Sequence, residues 1–145
     1  MTDLVVDASV ATIVLFPEPF SPNAEALFRD VLLLGHHMTA PHLLPVEVTN
    51  AIRRHMRRER ISLDTAMALL NDFLTQPIEL VTDQDLHRQA LRLTEAYSLG
   101  AHDAHYVALA QRLGCAFWTA DERIRRATGG RLTFIRFIGD YLPLT

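Results

Sequence analysis

Short apolar runs alternate with longer segments of three-to-four-residue apolar spacing along the whole chain. Leu4-Val5-Val6 is an unbroken apolar run, the pattern of a short buried strand. Ala8 to Phe16 reads as a helix, stopped by Pro17 and Pro19. Ser21 caps a second helix with Pro22 at its first position, running to about Leu34 before Gly35. His37 to Ala40 is a second strand, and Leu43 to about Glu59 a long helix with the apolar face Val48, Ile52 and Met56. Ser62 caps a fourth helix through Leu74, stopped before Pro77, and Ile78 to Val81 is a third strand. Asp83 or Asp85 opens a helix through Tyr97, and Gly100 ends the turn after it. Asp103 opens another helix, closed by Gly114 after Leu113. Cys115 to Thr119 is a strand, Glu122 to Ala127 a short helix, and Thr133 to Phe137 a last strand. Short strands alternating with helices predict an α/β fold with a mainly parallel sheet covered on both faces. No repeat, low-complexity run or linker divides the chain, so 1–145 reads as a single domain.

Composition narrows the chemistry. At 145 residues, with 49% hydrophobic and 21% charged positions, the chain is an ordinary globular sequence able to bury a core without staples. The single cysteine, Cys115, allows no internal disulfide and suits a reducing cytoplasm; beside Phe117 and Trp118 it reads as a buried, inert thiol. Val10 to Phe16 is too short to span a bilayer, and Met1-Thr2-Asp3 is acidic where a secretion signal would be basic. All 14 Lys or Arg positions are arginine, so lysine is absent. That removes phosphate-loop, Schiff-base and acyl-phosphate chemistries that depend on a lysine. The net charge of −3 forces no nucleic-acid partner globally, and leaves room for a local basic patch.

Ligands of parallel α/β sheets bind beyond the carboxyl ends of the strands. Asp7 directly follows the first strand, and Asp121 follows the strand that ends at Thr119. Asp103 shares a helix stripe with Val107 and Ala110, which turns it toward the buried side. Glu47 lies at the edge of its helix's apolar face, in line with Ala51, Arg54 and Arg58. Taken singly, Asp7, Asp103 and Asp121 each read as an N-cap, and Glu47 as a solvated helix residue. Taken together, four acids converging on one cleft would repel unless a divalent cation neutralised them. An all-oxygen donor set favours Mg²⁺ or Mn²⁺ over Zn²⁺. Carboxylates holding such a cation with open positions suit phosphoryl chemistry, with no nucleophilic Ser or Cys required.

Four segments carry a family resemblance. They are Leu4-Val5-Val6-Asp7-Ala8-Ser9-Val10, Pro45-Val46-Glu47-Val48-Thr49-Asn50-Ala51, the run from His102-Asp103 to Ala110, and Thr119-Ala120-Asp121-Glu122-Arg123. In this order and spacing the chain resembles PIN-domain nucleases, above all the VapC-type toxins of toxin–antitoxin pairs. One departure is His102, at a position where that family often has an aromatic residue. The resemblance implies a three-layer α/β/α sandwich and a Mg²⁺- or Mn²⁺-dependent endoribonuclease. It also implies a homodimer inhibited by a small antitoxin. By motif position Asp7, Glu47, Asp103 and Asp121 form the acidic quartet, with Thr119 and Ser9 as supporting hydroxyls.

Other features are weighed beside it. Asn50, one turn after Glu47, either orients a ligand or is an ordinary helix polar residue. The run Arg53-Arg54-His55-Met56-Arg57-Arg58-Glu59-Arg60 is a solvated face or, through Arg54 and Arg58, a contact to an RNA backbone. Arg123, Arg125 and Arg126 read as a surface helix, and His102 and His105 as surface or supporting groups lacking partners for a zinc site. Ala66, Leu69, Leu70 and Phe73 form either core or a partner groove, and Met67 and Tyr97 fit helix packing. A phosphatase or phosphoacceptor built on Asp7 is disfavoured by Ser9, where a second Asp is expected, and by the missing lysine. A non-catalytic PIN-like module that only binds RNA or protein is the remaining alternative.

Overall fold

The computed structural model describes residues 3–144; Met1 and Thr2, part of the N-terminal reading above, lie outside them, as does Thr145. Five strands form one sheet: β1 (Asp3–Val6), β2 (His37–Pro41), β3 (Ile78–Val81), β4 (Ala116–Thr119) and β5 (Ile135–Phe137). Their order is β3-β2-β1-β4-β5, and every neighbouring pair is parallel. Parallel neighbours need a crossover, and helices provide it. Alternate residues of a strand point to opposite faces. Val5, Ala40 and Phe117 therefore join one core, and Leu4, Val6 and Met38 join another.

The first core is closed by α3 (Leu44–Glu59), α5 (Gln84–Tyr97) and α6 (Ala101–Leu113), with α4 (Leu63–Leu74) leaning on α3. In α6 the run Tyr106 to Ala110 is entirely buried, so this helix is central to the layer. The second core is closed by α2 (Ser21–Leu34), through Ala24, Leu27, Phe28 and Val31, with α1 (Ala8–Leu15) bordering both. A short α7 (Glu122–Ala127) follows β4, and a 3-10 turn at Ile138–Asp140 packs Ile138 against α2. The result is the three-layer α/β/α sandwich expected above.

Several element starts differ from the sequence expectation. Ser21 is the first residue inside α2, behind Phe20, and its hydroxyl reaches back to the Ile13 carbonyl at 2.6 Å. It fastens the Pro17–Pro19 turn instead of capping. Between Asp83 and Asp85, Asp83 is the α5 cap, accepting from the Leu86 N–H at 2.7 Å. Its carboxylate also pairs with Arg112, which holds it down at about pKa 2. Asp103 does not open α6; the helix starts at Ala101 with Gly100 in the cap position. The cause is local. Ser98 ends α5 by turning the chain at φ 55, Leu99 is pinned in the core, and Gly100, in extended backbone, leads directly into α6. On α4, Ala66 and Phe73 are buried and Leu69 and Leu70 pack on the core, so that stripe is core; Met67 lies outside it, 49% exposed. Among the described residues no helix is long and apolar enough to cross a membrane.

Candidate active site

The sheet reverses its direction of growth between β1 and β4. Chain connections run from β1 outward to β2 and β3, then return to the other side of β1. The crevice beyond the strand ends at such a point is where open α/β sheets place ligands. Asp7 leaves β1 there, and Asp121 leaves β4.

Asp7 is 6% exposed and its two carboxylate oxygens are held from different elements. Oδ1 accepts from the Ser9 hydroxyl at 2.5 Å and from the Val10 N–H at 3.2 Å. Oδ2 accepts from the Thr119 hydroxyl at 2.6 Å. Asp7 thus caps α1 and faces the crevice at once. Thr119 also accepts from the Asp121 N–H at 3.0 Å, and Ser9 accepts from the Ala120 N–H at 2.8 Å. These bonds clamp the end of β4 to the start of α1. Burial pushes the Asp7 carboxyl up to about pKa 6, against the lowering effect of its hydrogen bonds.

Two helices supply the other acids. Glu47 projects from the first turn of α3, and its Oε1 accepts from the Tyr106 hydroxyl at 2.5 Å. His102 approaches Glu47 Oε2 at 3.6 Å. Asp103, in the first turn of α6, is half-buried, and burial raises its pKa, assisted by the charges of Asp121 and Glu47. The mutual repulsion expected of a carboxylate cluster is therefore present. Asp121 is the exception. Arg123 grips both its oxygens, Nε–Oδ1 at 3.0 Å and Nη2–Oδ2 at 2.8 Å, and lowers its pKa.

Asp7, Glu47, Asp103 and Asp121 all line a single cavity of about 480 Å³, together with Ser9, Asn50, Arg54 and Tyr106. Thr119 stands behind it and acts through Asp7. Arg58 is not on this cavity; it lines a neighbouring one. The sequence reading passed over Tyr106 and assigned Arg123 to a surface helix. Tyr106 is three residues after Asp103 on the same helix, a spacing that puts both on one face.

Among the described residues no three acidic, His or Cys groups form a ready-made metal cage. The donor set is nevertheless the one a hard cation uses. Mg²⁺ keeps several waters and needs only one or two carboxylates, so an open acidic cavity fits it better than a tight cage would. The raised Asp7 and Asp103 carboxyls are the groups a cation would relieve.

Comparison with known proteins agrees with this geometry. The PIN domain family model matches residues 4–130. Ribonuclease VapC12 of Mycobacterium tuberculosis is 30% identical over 126 residues, covering 87% of this chain and 92% of its own length. Ribonuclease VapC1 of the same species is 33% identical over 134 residues, covering 89% and 93%. The crystal structure of PAE2754 from Pyrobaculum aerophilum superposes with a TM-score of 0.70 at 20% identity, over 94% of this chain and 91% of that one. The family match over residues 4–130, the sheet order and the crevice between β1 and β4 lead to one assignment: the chain belongs to the PIN domain family.

Proposed function

We propose that this chain is a Mg²⁺-dependent endoribonuclease, with Mn²⁺ as the alternative ion, acting as the toxin of a toxin–antitoxin pair in the cytoplasm. The observation that carries it is the convergence of Asp7, Glu47, Asp103 and Asp121, from four separate elements, on one cavity. Relatives named as ribonucleases support the same reading. Asp7, Glu47, Asp103 and Asp121 would hold the cation. When bound, it lowers the pKa of a water and neutralises charge on the phosphate oxygens.

The chain's own side chains set the stage. Ser9 and Thr119 lock the Asp7 oxygens in place, so its charge needs no reorganisation during reaction. Tyr106 fixes one oxygen of Glu47 and leaves Oε2 toward His102. Asn50 lines the cavity with an amide able to orient a phosphate oxygen or water. Arg54 places a cation at the rim for the RNA backbone. Arg123 neutralises Asp121 and its side chain is 82% exposed; were Asp121 to hold the cation, Arg123 could serve a substrate phosphate instead.

Asp7→Asn and Asp103→Asn should each abolish RNA cleavage with the circular dichroism spectrum unchanged. Full activity in either variant would overturn the assignment. A metal titration separates this reading from a non-catalytic binding module, which should neither bind nor need a cation at these acids. A short neighbouring reading frame with a DNA-binding N-terminus would identify the antitoxin partner.

A further inference from the structure

A second cavity, of about 450 Å³, adjoins the acidic one and shares Ala8, Ser9 and Arg54 with it. Its size lies in the range of about 300–1,000 Å³ that small ligands occupy. Its lining is chemically divided. Arg54 and Arg58 supply positive charge; among the described residues Arg54 has no ion-pair partner, and Arg58 meets Glu59 only at 3.9 Å. Phe20 supplies an aromatic ring, 39% exposed, and no other Phe, Tyr or Trp among the described residues is as open to solvent. That ring is held edge-to-face against Phe137, centroids 4.9 Å apart. Gly139 lies beneath the pair, where a Cβ would collide with Phe137 and press on Phe20. The Phe20 position is thus built.

Thr12 also lines this cavity, 7% exposed, and its hydroxyl oxygen has no hydrogen-bond partner. A buried hydroxyl without a partner is uncommon and calls for an explanation. The remaining wall is mixed: Ile13, Pro19 and Ala51 are apolar, Glu18 adds a carboxylate 3.9 Å from His55, and His55, buried and stacked on Phe16 at 3.8 Å, is a rigid backing.

Cations, an aromatic face and an unpartnered hydroxyl match the three parts of one nucleotide: phosphate, base and a ribose or base-edge hydrogen-bonding group. We propose that this second cavity is a nucleotide subsite, holding the unstacked residue of single-stranded RNA that flanks the phosphate to be cut. The base stacks on Phe20, its phosphate meets Arg54 and Arg58, and Thr12 takes a hydrogen bond. This rests on the ribonuclease reading above and adds to it a place for the nucleotide beside the scissile phosphate and the residues that grip it. Base stacking on an aromatic side chain tolerates any sequence, because every base has a π-face. The subsite therefore selects unpaired RNA over duplex without reading bases.

The test is binding of a short fluorescein-labelled random-sequence single-stranded RNA, measured by anisotropy in Ca²⁺ to suppress turnover. An abasic ribose-phosphate strand of equal length serves as comparison. Phe20→Ala should weaken RNA binding about tenfold, from the stacking range per base. Phe20→Leu, which keeps the apolar contact with Phe137, should weaken it similarly, and Phe20→Trp should retain it. On the abasic strand all three should bind like wild type. Equal losses on both strands, or RNA binding unchanged in Phe20→Ala, would overturn the subsite. Unchanged RNA binding with a lost grip on the co-expressed antitoxin would give the cavity to a protein and overturn it equally. A wild-type chain that ignores RNA altogether would sink the ribonuclease reading too, which Phe20 variants alone cannot do.

Discussion

Asp7 shows how one residue carries two duties that conflict. As a helix cap it accepts a backbone N–H, and as a crevice acid it must stay charged while 6% exposed. Its folded-state pKa of about 6 lies above the ordinary 3.8. The folded chain therefore binds a proton more readily than the unfolded one. The penalty is fully present above pH 6 and is relieved as pH falls toward 4, on the order of 3 kcal/mol for a two-unit shift. Asp83, depressed to about 2 by Arg112, acts in the opposite sense, but only below about pH 4. In EDTA, the melting temperature of the wild type should rise between pH 7.5 and pH 5 as far as Asp7 controls it, and Asp7→Asn should show a smaller rise. Equal pH slopes would remove Asp7 as the cause. Added Mg²⁺ should stabilise the wild type by about 2.7 kcal/mol at a hundred times its dissociation constant, and Asp7→Asn much less. Arg123 sits at the same scale. Its removal leaves Asp121 unpaired, so Arg123→Ala should tighten cation binding in calorimetry; weaker binding would make Arg123 a support of the site instead of a competitor.

At the scale of elements, α3 carries both the chemistry and the approach to it. Glu47 lies in its first turn, and Arg54 and Arg58 follow on the same line toward the second cavity. Replacing both arginines with Ala should weaken RNA binding evenly across sequences. It should also flatten the salt dependence by about 0.7 per lost phosphate contact on a single strand. The rate at saturating RNA should change much less, since uniform binding alters KM and not kcat. An unchanged salt slope would end the backbone-contact role and leave the acids untouched. Most element positions were legible from apolar period and Pro or Gly punctuation. The α6 start was not, because it depends on Leu99 being anchored in the core. Tyr106 was overlooked because a tyrosine in an apolar helix run reads as packing; its hydroxyl finds Glu47 only across two helices.

For the whole molecule, the homodimer that the family resemblance implies would need a surface other than the Leu69 and Phe73 stripe of α4. Leu69 and Phe73 are spent on the core. The outer side of α4 and its ends instead leave Leu63 61%, Met67 49% and Leu74 57% exposed. A stable interface needs about 800 Å² from each partner, and scattered leucines suffice only if they form its centre. Light scattering at micromolar concentration should report a dimer, and Met67→Glu combined with Leu74→Glu should shift it to monomer with the fold retained. A wild-type monomer with full nuclease activity would count against the dimer.

The sequence by itself determined the alternation of strands and helices, the two-sided burial of the sheet, the absence of lysine chemistry and the four acids. Each of these is a local or compositional property: a period, a breaker, a residue type after a strand. Only the tertiary structure decided that β4 lies beside β1, since nothing in either strand names its neighbour. That adjacency brings Asp7 and Asp121 to one crevice, lets Thr119 reach Asp7 across 112 positions, and opens the second cavity beside them. The fold also decided which of the three candidate caps act as caps. Asp7 and Asp121 are both cap and cavity acid, and Asp103 is cavity acid alone. The physical reason is that charge repulsion, burial and long-range hydrogen bonds depend on distances in space, and sequence separation does not set them.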